Sequence, residues 1–470
     1  MPTPRQPRFQ LQVSERRALL IAGDLIAVNT AVLVALRIWA VVGQYDFDLA
    51  FLLPRLYWFP LLSLLWITLA GLNGFFDLRA SAQFSAMLPR LVLVTLQLLV
   101  VYVLIFFLSP PETLPRLFIL YYAVASFFLI LLWRSWRPFL MGWSGFRRRV
   151  LVVGTDWAAQ TIIETLNAEM PQAYEIVGLI GAPEQVGRKL EGAPVLGSGR
   201  ELAEIAMREN AREVIVATHR ELPADVFEGI MDCYERGITI TPMPLLYERL
   251  TGRVPVEHVG NQWAIVLPLK ENSLFNLYPV FKRLLDVALA SIGLGVFALM
   301  LPVIVVAMQL DSPGPVFYVQ ERLGKAGRVF RVFKLRSMIP DAEKDSGPLW
   351  ATENDPRITA VGRILRKTRL DELPQLLNVL RGEMSMIGPR PERPEFVAAL
   401  ADDIPFYRTR LVVKPGLTGW AQVRYRYGST RHDALVKLQY DLYYIRHQSL
   451  LLDMVILFRT IGKVLTFQGT

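Results

Sequence analysis

Asp371 and Glu372 stand side by side in "TRLDELPQLLNVLRGEMSMIGPRPE", a stretch that begins at Thr368. Arg363, Arg366, Lys367 and Arg369 crowd in before the pair, and Arg390 follows it. Acids at a helix start complement the macrodipole, so a DE pair alone has an ordinary structural explanation. The neighbouring cations point further. Planar guanidinium groups suit phosphate recognition, and a carboxylate surrounded by them stays ionised at neutral pH. An ionised carboxylate can attack phosphorus and form an acyl phosphate. Two anionic reactants then need charge neutralisation, which a magnesium ion held by one or two carboxylates supplies. The pattern predicts that one acid attacks a phosphate while the other helps to hold the metal. A surface salt-bridge patch is the competing reading for any single arginine.

The flanking elements must bring these groups together. Asp371 is placed to cap a helix whose Leu373, Leu376, Leu377 and Leu380 form one apolar stripe, with Gly382 as its stop. Upstream, "SPGPVFYVQERLGKAGRVFRVFKLRSM" reads as a hairpin turning around Gly324–Gly327, its second strand leading to Lys334 and Arg336. Before it runs an apolar segment, Leu284–Leu310, long enough to cross a bilayer. Lys282 and Arg283 precede it, and Arg322, Lys325, Arg328, Arg331, Lys334 and Arg336 follow, so both flanks carry the cytoplasmic signature. Pro302 removes a helical hydrogen bond inside it. A re-entrant helix that bends at Leu301–Pro302 and returns to the same face satisfies both facts. An ordinary fifth span with a proline kink is the alternative.

The whole chain has 470 residues, 53% hydrophobic and 20% charged, with a net charge of +9. That balance points to a membrane protein handling phosphorylated substrates or sitting on an anionic bilayer, and disfavours nucleic acid as a partner. A single cysteine, Cys233, excludes an intramolecular disulfide and a cysteine metal cluster, and four scattered histidines give little basis for zinc. Four apolar segments, about Ala18–Val42, Leu56–Phe75, Leu91–Ser109 and Leu117–Trp133, each approach the roughly 20 residues of a helical span. Arg5, Arg8, Arg16 and Arg17, then Arg79 and Arg90, then Arg134, Arg137 and Arg147 to Arg149 mark one face, whereas the other loops carry only Arg55 and Arg116. Both ends of this bundle are therefore expected in the cytoplasm. Asp24 and Arg37 lie within or beside the first span, as a helix-packing contact or as a functional charge.

From Arg148 to Leu267, short apolar strands such as "RRVLVVGTD", "YEIVGLIG", "EVIVAT" and "ITITPM" mix with helical stretches, which implies a parallel sheet. Its first turn is a degenerate dinucleotide fingerprint. Gly154 is present, but Asp156 and Ala159 fill the second and third glycine positions, and an Asp there repels a pyrophosphate. A Rossmann-like module without that cofactor is expected.

From about Phe281 onward the chain resembles the bacterial sugar transferase family, the monotopic polyprenyl-phosphate phosphoglycosyl transferases. The resemblance rests on "KRLLDV", "SPGPVFY", "FKLRSM", "GRILRKTRLDELPQLLNVLRGEMSMIGPRPE" and "KPGLTGWAQV", in that order. The N-terminal spans and α/β module look like the large form of the family. "KLQYDLYYIRHQSLLLDMVILFRTIGKVL" is similar to its exopolysaccharide- and exosortase-associated subgroup. The resemblance implies a four-span membrane helical bundle (1–147), a Rossmann-like α/β cytoplasmic domain (148–267), a linker (268–280) and a mainly α monotopic catalytic domain (281–470) with a re-entrant helix (284–310).

It implies transfer of a sugar-1-phosphate from a nucleoside-diphosphate sugar to undecaprenyl phosphate at the cytoplasmic face of the bacterial inner membrane. UMP leaves when the donor is a UDP-sugar, and the step opens exopolysaccharide, O-antigen or capsule synthesis. Asp371 would be the nucleophile, and Glu372 would help Asp371 to bind magnesium. Arg390 would contact phosphate, with Lys334, Arg336, Arg363 and Arg369 as further substrate contacts. Trp420 would shape the nucleotide or lipid end, or else fill the core. Pro302 would be the hinge, although Leu301 stands where small members of the family often carry Ser. Partners would be undecaprenyl phosphate, the donor sugar nucleotide and membrane lipids, with a homodimer through the cytoplasmic domain left open. A membrane-anchored nucleotide-sensing or scaffold protein is the alternative, which loss of transfer in Asp371→Asn would exclude as the primary function.

Overall fold

The apolar segments near the N-terminus fold as α1 (Val13–Val42), α2 (Trp58–Leu72), α3 (Phe84–Leu108) and α4 (Phe118–Met141) in the computed structural model. It describes residues 13–76, 84–108, 117–141, 147–171, 173–218, 222–256, 277–340, 355–425, 428 and 430–465. The expected linker lies outside these up to residue 276, as do Ser109, the boundary at 267 and, from the charge pattern, Arg5, Arg8, Arg79 and Arg116. Helices suit such apolar runs because each satisfies its own backbone without water. Ala18–Val42 and Phe118–Trp136 are long and apolar enough to cross a membrane, as is Trp58–Gly71 when counted with Leu49–Arg55, from which it bends by 44°. α3 carries a shorter apolar stretch, Met87–Val103.

Close packing joins α1 to α4. A Cβ on Gly23 would fall 2.1 Å from the Trp133 ring, so only glycine permits this approach. One residue further along each helix, Arg134 Nε donates to Asp24 Oδ1 at 2.9 Å, and its NH2 donates to Oδ2. Both side chains are buried, and the guanidinium also covers the Phe75 ring at 4.4 Å. Asp24 is thus a helix-packing contact, and Arg134, expected as a flanking charge, is its partner. A charge in an apolar bundle persists when it is paired in this way.

Strands β1 (Arg148–Val153), β2 (Tyr174–Ile180), β3 (Lys189–Leu190), β4 (Ala193–Gly197), β5 (Glu213–Val216) and β6 (Thr239–Pro242) form one sheet in the order β3-β4-β2-β1-β5-β6. All neighbours pair in parallel except β3 with β4. The central strand reads as an unbroken apolar run, Val150 to Val153, because both faces are buried. α5 (Trp157–Glu169), α6 (Leu202–Arg208) and α7 (Ala224–Glu235) accompany the strands. At the end of β1, Gly154 has φ of +122°, and a Cβ there would meet the Ala217 carbonyl at 2.2 Å.

The chain falls into two compact units, Met1–Met243 and Pro244–Thr470. α8 (Met243–Thr251) leads into the second unit, whose core includes Val254 and Val256. There α9 (Tyr278–Asp311) runs 34 residues with Pro302 inside and continues as helix on both sides of it. Next come an antiparallel hairpin, β7 (Phe317–Leu323) and β8 (Val329–Leu335), then α10 (Ala360–Thr368), α11 (Leu376–Arg381), β9 (Ser385–Ile387), α12 (Pro394–Asp403) and β10 (Gly416–Thr418). The unit closes with α13 (Trp420–Arg424), α14 (Arg431–Arg446) and α15 (Leu450–Leu465).

One face of α9 lies along this unit throughout its length. Asp286 Oδ1 accepts from Ser385 Oγ and Met386 N near its start. Ala290 packs with Leu376 and Val379, and Ile304 and Met308 pack with Leu335 and Leu365. At its last residue, Asp311 Oδ2 accepts from Val361 N at 2.8 Å. The other face exposes Leu284, Ile292, Leu299, Val303, Val306 and Leu310.

Candidate active site

Two helical geometries meet at the acidic pair. α10 begins at Thr359, whose hydroxyl accepts from Gly362 N, and ends at Arg369 in the left-handed region (φ 56°, ψ 19°). A bulky residue held there is strained, which is common at functional sites. A 3-10 turn over Leu370–Gln375 follows, then α11. Pro374 has no amide hydrogen to offer an α-helical ladder, which suits the tighter turn. Asp371 and Glu372 therefore lie in the first turn, as expected, but Arg369 occupies the cap position that Asp371 was expected to fill. Gly382 stops α11 at φ 81°, and Arg283 donates to the freed carbonyls of Val379 and Leu380 at 2.7 and 2.8 Å. Of the leucine stripe, Leu376 is buried, Leu373 and Leu380 pack beside it, and Leu377 is exposed.

Lys334 and Arg390 both converge on Glu372. The Arg390 guanidinium forks onto it, with NH1 to Oε2 at 3.4 Å and a closer NH2 contact to Oε1. Lys334 Nζ lies 3.7 Å from Oε1. Burial alone would raise the Glu372 pKa, but Arg390 and Lys334 outweigh it and hold the group well below the usual range. Asp371 is also buried, at 8% exposure. Among the described residues its carboxylate accepts no hydrogen bond and makes no ion pair. Burial, and next the Glu372 charge, push it up to about 6, with Lys334, Arg366 and Arg390 offsetting part of the rise. The arginines thus hold its neighbour ionised more firmly than Asp371 itself. Lys334 is in turn lowered by burial, with Glu372 opposing.

The remaining expected contacts divide. Arg369 acts on Glu372 through its charge. Arg363 points to solvent and joins neither acid, whereas Arg366, on the same helix, acts on Asp371. Arg336 is buried elsewhere, donating through Nε to Pro315 O at 2.7 Å, through NH1 to Ser312 Oγ at 3.0 Å and through NH2 to Ser312 O. It secures the end of α9. Trp420 follows the core reading, with Nε1 donating to Gly252 O at 3.0 Å and its ring stacked on Tyr443.

Several positioning groups escaped the sequence reading. Asn378, wholly buried, donates to Arg331 O at 2.7 Å and accepts from Phe333 N, tying α11 to the strand that carries Lys334. A polar residue inside "LLNVL" was the available signal. Arg410 donates to Arg390 O at 3.0 Å, to Asp441 Oδ2 at 2.8 Å and to the Tyr407 hydroxyl at 2.9 Å, which fixes the backbone behind the Arg390 side chain. Burial pushes Asp441 up to about 6 despite that ion pair. A lone Asp on the apolar "KLQYDLYYIR" helix was its signal. A small, open cleft lies beside the two cations that hold Glu372, lined by Arg322, Val332, Lys334, Gln375, Arg390 and Pro391.

Two adjacent carboxylates are hard oxygen donors that suit magnesium when phosphate and water complete its shell. Among the described residues, no trio of His, Cys, Asp and Glu gathers to form an all-protein metal cage. Asp371 and Glu372 are the groups that would hold such an ion, which would supply neutralisation of phosphate charge.

The chain is similar to known proteins over most of its length. Residues 277–467 match the bacterial sugar transferase family model, and residues 71–244 match a CoA-binding domain model. The UDP-glucose:undecaprenyl-phosphate glucose-1-phosphate transferase of Escherichia coli (strain K12) is 32% identical over 84% of this chain and 85% of its own length. The UDP-N-acetylgalactosamine-undecaprenyl-phosphate N-acetylgalactosaminephosphotransferase of Aeromonas hydrophila is 42% identical over 50% of this chain, and the match spans 55% of that protein. The exopolysaccharide production protein PSS of Rhizobium leguminosarum bv. phaseoli is 42% identical over 40% of this chain and 96% of its own length. The buried carboxylate that has no bonded partner among the described residues, beside its cation-held neighbour, is thus set in a chain that belongs to the bacterial sugar transferase family and is a transferase.

Proposed function

We propose that the chain transfers a sugar-1-phosphate from a UDP-sugar to undecaprenyl phosphate by a ping-pong route through an acyl phosphate on Asp371. The observation that carries this reading is the state of Asp371: buried, unpaired among the described residues, and raised to about 6. A carboxylate deprived of partners is a better nucleophile than one already hydrogen-bonded, and at pH 7 this one is still mostly ionised. Its oxygen attacks the phosphorus that carries the sugar, the bond to the nucleotide's phosphate oxygen breaks, and UMP departs. A phosphate oxygen of the lipid then attacks the same phosphorus, and the carboxylate leaves. No net proton is consumed in either step.

Lys334 and Arg390 hold Glu372 and act on Asp371 through their charge, so a diphosphate brought to Asp371 meets both cations. Magnesium, held by Glu372 and Asp371, would supply further neutralisation of phosphate charge. The names of the relatives support undecaprenyl phosphate as acceptor and a UDP-sugar as donor. The Rhizobium relative's name supports a place in exopolysaccharide synthesis.

α9 supports a monotopic, re-entrant attachment. Asp286 and Asp311, near its two ends, bond the same unit, while its other face is apolar and exposed. A helix that crossed fully would carry one of those ends away from its polar partners. In this reading α9 lies in the cytoplasmic leaflet of the inner membrane, four N-terminal spans anchor the chain, and the acid pair meets a lipid phosphate at the surface. The sheet order, with neighbours diverging from β1, supports a Rossmann-like module. The test is UMP release from protein in nanodiscs with a panel of UDP-sugars, undecaprenyl phosphate and magnesium. Release that depends on lipid and Asp371 supports the reading. No UMP from any donor, with folded protein, defeats it.

A further inference from the structure

The small, open cleft contains three cations, Arg322, Lys334 and Arg390, and one neutral polar side chain, Gln375. Gln375 is 4% exposed, and its amide atoms are not among the fully enclosed polar atoms that lack a partner, so the carboxamide reaches the cleft. An amide that opens onto such a cleft among described residues that do not bond it is satisfied there by water or by a ligand. It lies three residues after Glu372 in the 3-10 turn. Side chains at that spacing eclipse one another, so Gln375 shares a face with Glu372. The cations around it are already tied in place. Arg390 holds Glu372, and Arg322 NH1 donates to Pro391 O at 3.2 Å.

We propose that Gln375 is a donor-binding residue, whose carboxamide NH2 donates to an oxygen of the diphosphate lodged between Arg322, Lys334 and Arg390. This inference rests on the transferase reading for the identity of its ligand. The physical reason for an amide at this position is charge. A fourth cation would hold the departing nucleoside monophosphate more tightly, whereas a carboxamide directs a hydrogen bond without adding to the field. Because a nucleoside diphosphate and inorganic pyrophosphate share the recognised chemistry, both serve as probes.

The experiment is calorimetric binding of UDP and of pyrophosphate, with magnesium, to the full-length protein in nanodiscs. Gln375→Met keeps the shape and removes the hydrogen bond, and Gln375→Glu keeps the shape and replaces the donor by an anion. Thermal unfolding of each variant reports its fold, and Gln375→Asn is the substitute if Met does not fold. Both probes should bind about tenfold more weakly to Gln375→Met, as expected for a hydrogen bond to a charged group, and more weakly still to Gln375→Glu. Unchanged affinity for both probes in folded Gln375→Met overturns the proposal. Weakened UDP binding with unchanged pyrophosphate binding also overturns it, because the amide would then read the nucleoside. Asp371→Asn separates the two readings, since it should abolish turnover yet retain both probes. If no donor turns over while Gln375 still governs binding, the transfer reading fails and the diphosphate site stands.

Discussion

Asp156 and Asp371 both stand at the start of a helical segment, and they are used in opposite ways. Asp156 accepts from the amides of Ala158 and Ala159 at 2.9 and 3.4 Å, so its charge completes the N-terminus of α5. An anion arriving there finds the donors taken and a carboxylate in the way. Asp371 accepts nothing among the described residues, and the cations beside it hold Glu372. What separates a capping acid from a reactive one is therefore where the nearby donors go. The α5 start ends in structure, whereas the 3-10 turn leaves one buried carboxylate uncommitted.

Substitution at the two aspartates breaks this comparison most sharply. Asp371→Asn should lower transfer by on the order of a thousandfold or more, because an amide cannot form the acyl phosphate. Asp156→Asn should leave turnover within about twofold, since Asn caps a helix equally well. Both are read as UMP release per mole of folded protein. Equal losses would mean that the sheet module takes part in the chemistry.

Arg390→Lys should cost about a hundredfold in kcat/KM, because an ammonium cannot reproduce the fork on Glu372 while also facing phosphate. Arg336→Lys should reduce folded yield rather than kcat/KM in the protein that folds, because its donors secure Ser312 and Pro315. Steady-state kinetics alongside thermal unfolding separates these outcomes.

The pH profile gives a smaller effect with a definite sign. Asp371 must be ionised to attack, so the single-turnover rate should fall about tenfold per unit below about pH 6 and level off above it. Arg390 lowers the Asp371 pKa, so Arg390→Gln should move this limb to higher pH. A limb near 4 would show that Asp371 is not held away from its cations.

Stability should run against activity. The folded pKa of about 6 lies above the ordinary 3.8, so the fold favours protonated Asp371. That contribution is full below about pH 4 and is lost as pH rises through about 6. Asp371→Asn should therefore stabilise the protein at pH 7 by up to about 3 kcal/mol, with the gain vanishing toward pH 4. Asp156→Ala should instead destabilise its domain by about 1 kcal/mol through loss of the cap. Reversible denaturant unfolding across this pH range measures both.

Much of the site could be read in advance where it depends on neighbours in the chain. The acid pair, the Gly382 stop and the β7–β8 hairpin follow from local pattern, whereas the partner of Asp24 lies 110 residues away at Arg134. Arg336 could not be separated from Lys334 in that way, although both lie on or just past the same strand. Lys334 faces Glu372, whereas Arg336 turns back to Ser312 after the strand ends. Arg363 and Arg366 were equally ambiguous, because the orientation of a nine-residue helix against its neighbours decides which of the two reaches Asp371.

By itself, the sequence determined that this chain has apolar helices for a bilayer, a strand-rich module with a blocked glycine turn, and an acid pair among cations. Those properties reside in composition and short-range periodicity, which every conformation of the chain carries. Tertiary structure alone decided which carboxylate receives the cations and which has no bonded partner among the described residues. Arg390 is 18 residues beyond Glu372, and Lys334 arrives from the hairpin. Coulomb energy and burial act through space, so adjacent acids of nearly equal intrinsic acidity acquire opposite shifts only once the fold is formed.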